Sequence, residues 1–210
     1  MINAIHRKGR KLMTNPKTLL QMAGAGLNPA RIGDACLILI DLQNEYLNGP
    51  IAVSAPRPAI VEAERLLKAA RSAQAPVFHI AHKGKAGGLF DRDAPRGQIV
   101  PELSPLAGET LVEKTLPNAF AHTDLHQHLA ATGRKELILA GFMTHMCVSS
   151  TARAALDAGY RVTIVADACG TRDLPDLRDG VVHAGVVHDV ALVELSDRFA
   201  IIARTASEVV

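Results

Sequence analysis

Tryptophan is absent from the 210 residues, and five phenylalanines with two tyrosines bring the aromatic share to only 3%. Stacking platforms for bases are therefore scarce, and the formal charge of +2 is spread along the chain instead of gathered into a basic stripe. Nucleic acid is not an expected partner. No apolar stretch is long enough to span a membrane, and the basic opening Met1-Ile-Asn-Ala-Ile-His-Arg-Lys lacks the apolar run that follows in a signal peptide. The expected setting is cytoplasmic, with no membrane partner. Cysteine is sparse too: Cys36, Cys147 and Cys169 are odd in number and show no metal-ligand spacing, which fits free thiols in a reducing compartment.

What is present is enough for a large core, since 48% of residues are hydrophobic and 21% charged. Strand and helix patterns alternate, the signature of an α/β fold with a mostly parallel sheet. The patterns predict strands over 35–41, 76–82, 110–114, 136–142, 161–167 and 198–204, and helices over 56–71, 123–133 and 181–195, with another helix following Cys147. Residues 1–31 read as an N-terminal extension carrying one short helix over 16–23, and residues 32–210 as a single domain. The segment 83–104 is rich in glycine, proline and charge, as a lid or subunit contact would be, and Leu89-Phe-Asp-Arg92 within it has the reach to enter a neighbouring subunit's pocket.

Three polar residues stand where such a sheet places chemistry. The run Ala35-Cys-Leu-Ile-Leu-Ile ends in Asp41, Thr110-Leu-Val-Glu ends in Lys114, and Glu136-Leu-Ile-Leu-Ala-Gly-Phe leads through Met-Thr-His-Met to Cys147 at the start of a helix. The carboxyl ends of parallel strands open on the crevice where ligands bind, so acid, amine and thiol converge there. A thiol at a helix N-terminus meets the positive end of the macrodipole, which lowers its pKa and offers N–H groups to an oxyanion. The plainer alternative for any one cysteine is a small buried hydrophobe.

Leu-Ile-Asp41-Leu-Gln-Asn-Glu-Tyr46, Glu-Lys114-Thr-Leu-Pro-Asn-Ala-Phe120 and Gly141-Phe-Met-Thr-His-Met-Cys147-Val occur in this order. Through them the chain, over about residues 35–204, resembles the isochorismatase-like cysteine hydrolases, a superfamily that includes nicotinamidases and N-carbamoylsarcosine amidohydrolases. The resemblance implies a three-layer α/β/α, Rossmann-like fold with a six-stranded parallel sheet, and Asp41, Lys114 and Cys147 as a catalytic triad. It also implies an oxyanion hole from the backbone N–H groups of Met143 and Cys147, and a cis peptide at Phe142–Met143. Cys147 would be the nucleophile, Asp41 the proton carrier and Lys114 the electrostatic partner in hydrolysis of a small molecule's amide or related C–N bond. Tyr46 stands where relatives place an aromatic pocket wall, and Phe120 and His145 are further substrate-binding candidates; the alternative is core packing for Tyr46 and Phe120, and packing or bonding at the helix start for His145. Relatives are commonly homo-oligomers, dimers or tetramers.

Departures from the family narrow the chemistry. Isochorismatases proper, which cleave a vinyl ether, commonly lack the cysteine, so that reaction is the alternative. Nicotinamidases carry a metal site built around an Asp-x-His pair, and Asn48-Gly-Pro-Ile-Ala-Val-Ser-Ala-Pro56 has neither residue. No metal or other cofactor is expected, and chelators should leave activity unchanged. The histidines form no paired ligand set: His79 and His82 fall out of phase on one strand, His126 and His128 diverge on a helix, and His183 and His188 are loosely aligned, so solvated or capping roles are expected. Asp167 and Asp173 read as turn and capping residues. A peroxide-reactive redox thiol and a silent binding protein are the readings from other classes. The first lacks a nearby resolving cysteine, and the second conflicts with an intact triad.

Overall fold

The computed structural model describes residues 15–210. The first 14 residues of the expected N-terminal extension lie outside the described residues. In chain order the elements are α1 (Leu19–Met22), β1 (Ala35–Ile40), α2 (Glu45–Asn48), α3 (Pro56–Ser72), β2 (Val77–His82), β3 (Thr110–Lys114), α4 (Leu125–Ala131), β4 (Glu136–Phe142), α5 (Ser149–Asp157), β5 (Arg161–Gly170), β6 (Leu174–Pro175), β7 (Val181–Val182), α6 (Ala184–Arg198) and β8 (Ile201–Ala203). Six strands form one sheet in the order β3-β2-β1-β4-β5-β8. Every pairing in it is parallel.

β1 shows why this sheet sits in the middle. All six of its residues are buried, and they alternate between two cores. Leu37 and Leu39 join the side chains of α3 on one face, whereas Cys36, Ile38 and Ile40 join Leu125, Leu129, Ala152, Ala155 and Leu195 from α4, α5 and α6 on the other. A strand covered on both sides must be apolar throughout, which is the run read in the sequence. α3 begins with a proline at its first position and turns Ile60, Leu66 and Leu67, each at most 2% exposed, onto the sheet. Each contributes about 2 kcal/mol through burial.

The structure moves several expected boundaries. β5 continues to Gly170 because its pairing with β4 jumps from Leu139–Ile164 to Gly141–Cys169, a bulge that carries the strand past Asp167. The helix expected over 181–195 starts at Ala184, since Val181 and Val182 pair with Leu174 and Pro175 in a small antiparallel ribbon. Asp173 Oδ1 then accepts the Ala184 N–H at 2.7 Å, the capping role read for that residue. The extension is tied to the domain: Leu19 N–H donates to Asp197 Oδ1 at 2.8 Å, and Ala30 N–H to Thr163 Oγ1 at 3.0 Å. No helix among the described residues is long and apolar enough to cross a membrane.

Candidate active site

Asp41 follows β1 directly and adopts φ +50°, a left-handed turn that aspartate tolerates better than most residues. Its N–H reaches Ile80 O at 2.9 Å, and its own carbonyl accepts from Gln43 N–H at 2.8 Å, so the backbone fixes where the carboxylate leaves the sheet. Lys114 ends β3 and stands in register with His82, the last residue of β2. Neither Asp41 nor Lys114 exposes any side-chain surface.

Cys147 comes from the segment after β4. At its start, Gly141 has φ +132°, and a Cβ there would lie 2.0 Å from Ile40 O, so only glycine lets β4 approach β1 this closely. The Phe142–Met143 peptide is cis. Thr144–Val148 then form one π-helical turn before α5, instead of the plain α-helical start read from the sequence. In this turn the Met143 carbonyl accepts from Met146 N–H at 3.0 Å and Val148 N–H at 3.2 Å, passing over the N–H of Cys147 between them. Thr144 Oγ1 bonds His188 Nδ1 at 2.9 Å and His145 Nδ1 bonds Thr171 Oγ1 at 2.6 Å, which pins the turn from two sides.

The three expected residues meet. Lys114 Nζ donates to Asp41 Oδ2 at 2.6 Å and to Cys147 Sγ at 3.3 Å. Its third neighbour is His82 Nδ1, also at 3.3 Å. Asp41 Oδ1 is buried with no hydrogen-bond partner, an acceptor left free inside the cluster. Asp41, His82 and Cys147 also offer an oxygen, a ring nitrogen and a sulfur within 4.8 Å of one another, a donor set suited to a divalent metal. The Lys114 ammonium, within hydrogen-bonding reach of all three, already supplies positive charge at that place.

The electrostatics correct one expectation. The Cys147 thiol is not lowered by its helix: burial, and then the negative charge of Asp41, push it up to about 12, outweighing the ammonium beside it. Burial also raises the Asp41 carboxyl, against the pull of Lys114. The resting sulfur is a neutral thiol facing a carboxylate of raised proton affinity.

Tyr46 is buried next to this cluster, edge-to-face with Phe142 at 5.7 Å and with Phe90 at 5.2 Å. Phe120 goes elsewhere; its ring stacks on Tyr160 at 6.1 Å, and Tyr160 precedes β5 at the opposite end of the sheet. Within the 83–104 loop, Phe90 is buried against its own chain: its ring lies 4.8 Å from the His82 ring, and its N–H donates to Glu45 Oε2 at 3.1 Å. Cys147 is only 4% exposed. Hollows of about 610 Å³ beside Arg57 and Asp167, and about 400 Å³ beside Tyr160 and Phe199, are lined by none of the three groups.

Two of the residues here escape sequence reasoning. Gln43 is fully buried; its Nε2 donates to His82 O at 2.9 Å and Gly97 O at 2.7 Å, while its Oε1 accepts the His82 N–H at 2.8 Å. His82, expected to be solvated or capping, faces Lys114. The signal available was register, because a histidine ending β2 beside a lysine ending β3 must share the same rim.

The family model for the isochorismatase domain matches residues 35–207. A solved structure of an isochorismatase from Pseudomonas putida KT2440 is 45% identical, covers 91% of this chain and 98% of its own, and superposes with a TM-score of 0.88. The secreted isochorismatase effector Isc1 of Verticillium dahliae is 38% identical over 182 residues, 85% of this chain and 92% of its own. Two more distant relatives are named for amide chemistry. Nicotinamidase 3 of Arabidopsis thaliana is 30% identical, over 65% of this chain and 73% of its own length. Ureidoacrylate amidohydrolase of Stutzerimonas stutzeri is 27% identical, over 66% and 70%.

Proposed function

The chain belongs to the isochorismatase family of hydrolases, and from that premise we propose that it cleaves an amide or related C–N bond of a small molecule through a thioester on Cys147. The observation that carries this reading is a single ammonium bonded to both a buried carboxylate and a buried thiol from three distant segments.

The proton inventory supports it. As Sγ attacks the carbonyl carbon, the thiol proton passes to Asp41, whose raised proton affinity makes the transfer less uphill. Lys114 keeps its charge and stabilises the sulfur while it is electron-rich. The carbonyl oxygen becomes an oxyanion held by the N–H groups of Met143 and Cys147; the bypassing of Cys147 in the π turn leaves its N–H without the Met143 carbonyl as partner. Collapse breaks the C–N bond, and Asp41 returns the proton to the leaving nitrogen. Water then attacks the thioester, gives a proton to Asp41 and releases the acid, and the proton returns to sulfur. Tyr46 and the ring of Phe90 would bound the substrate pocket.

A second reading is favoured by the names of two relatives, which are isochorismatases. In it Asp41 would act as the acid on a vinyl ether, and the sulfur would form no bond. One experiment separates them: a panel of small amides, carbamoyl compounds, cyclic imides and lactams, with isochorismate, followed by turnover and by intact mass for an acyl adduct on Cys147. Amide turnover with an adduct supports the proposal. Isochorismate turnover that survives Cys147→Ala overturns it.

A further inference from the structure

Lys114 has to cross a strand to reach its partners. β2 separates β3 from β1, so the lysine stem passes over the end of β2, where His82 stands. An ammonium has three N–H donors, and here three acceptors surround it, Asp41 Oδ2, Cys147 Sγ and His82 Nδ1. A lysine side chain is flexible about four carbons, and two acceptors alone leave it free to turn. The third comes from the strand it crosses.

We propose that His82 is a positioning residue of the hydrolytic site, accepting one N–H of Lys114 at Nδ1 and so holding the ammonium between Asp41 and Cys147. An imidazole that accepts at Nδ1 carries its proton on Nε2. Burial, followed by the ammonium itself, holds His82 below the ordinary histidine value, which keeps the acceptor available at neutral pH. Three further restraints aim the ring. Gln43 clamps the His82 backbone through both its N–H and its carbonyl, and Phe90 packs against the ring at 4.8 Å. The titratable and charged groups facing the ring are Lys114 from β3, Asp41 from the turn after β1 and Cys147 from the π turn, with Glu45 of α2 behind Phe90. Protonation of His82 turns its acceptor into a donor and sets a second cation beside Lys114.

The inference rests on the hydrolase reading, so its test includes an arm that needs no substrate. Alkylation of Cys147 by iodoacetamide is followed from pH 5 to 9 by peptide mass mapping in the native protein, His82→Asn and His82→Leu. Asparagine Oδ1 falls near the place of Nδ1 and keeps an acceptor, whereas leucine keeps only bulk. At pH 8 the Asn variant is expected within about threefold of native and the Leu variant about tenfold slower. On acidification the native rate shows an additional fall below the ordinary histidine value that the Asn variant lacks. Leu matching native at every pH, or an acid step that persists in Asn, overturns the proposal; the second outcome remains decisive if the Leu variant does not fold. Turnover that is lost in Cys147→Ala but unchanged in His82→Leu removes the positioning role and leaves the hydrolase reading standing. The expected alkylation pattern with no turnover of any amide does the reverse.

Discussion

Lys114 Nζ and Asp41 Oδ2 lie 2.6 Å apart although their strands never touch, because β2 runs between them. Two strand spacings amount to roughly 10 Å, which only a long unbranched side chain closes. Replacing Lys114 by methionine keeps most of that stem and removes the charge. A buried carboxylate then stands alone, and the variant is expected to lose about 3–5 kcal/mol at pH 8. Asp41, already raised by burial, rises further without the ammonium, so the folded form holds its proton at pH values where the unfolded chain has released it. The deficit relative to native should therefore shrink as pH falls from 8 toward 5. Urea midpoints at the two pH values measure it, and adding Asp41→Asn should recover part of the loss at pH 8.

Cys147→Ala is expected to reduce turnover at least about 1,000-fold, while leaving the melting temperature within a few degrees. The side chain lost is small, so a collapse of the fold would point to packing as its main role. Asp41→Asn should likewise remove most activity, because an amide cannot take the thiol proton.

Alkali should unfold the protein partly through its thiols. Cys147 and Cys169 are both pushed up to about 12 by burial, while an unfolded thiol ionises near 9.0. Between those values the unfolded chain has released protons that the folded one keeps, so stability falls as pH rises, by about 1.4 kcal/mol per pH unit for each thiol. Cys169→Ala should flatten the dependence between pH 9 and 11 by one proton's worth. An unchanged slope in denaturant titrations would show that Cys169 ionises in the native state as freely as in the unfolded one.

Gln43→Ala strips partners from the His82 N–H and the His82 carbonyl, and one of two donors from the Gly97 carbonyl, which keeps Arg92 Nη1. Loss of about 2–3 kcal/mol is expected from buried polar groups left unpaired. The more telling readout is local. Hydrogen exchange should quicken over 83–97, where the loop is tied down, and stay unchanged in β4 and β5.

Much of the fold is legible in the sequence because burial on both faces forces continuous apolar runs, and each run stops at the residue that meets the crevice. Asp41 and Lys114 are found that way, and Cys147 by following the β4 run through the next segment to the start of a helix. The π turn is not, since Thr144-His-Met-Cys-Val carries no residue that distinguishes five-residue from four-residue hydrogen bonding. The state of the thiol is misread for a related reason: a helix start suggests stabilisation of the anion, whereas desolvation and Asp41 act through contacts that only three dimensions reveal. Phe90 and Gln43 belong to the same class. One is a loop residue folded back on the rim, the other a polar side chain whose burial depends on two backbone segments far away in the chain. The limits of β5 and α6 shift because a bulge and a two-residue ribbon are decided by pairing partners, not by local composition.

Gly141 sets how near the strand of the sulfur comes to the strand of the carboxylate, since its missing side chain is what keeps a Cβ from meeting Ile40 O. Any program of diversification aimed at new substrates inherits this restriction. Loop positions around Phe90 offer room for variation, but position 141 has no permissible alphabet beyond one letter, because a single methyl group there would widen the seam on which the distance from thiol to acid depends.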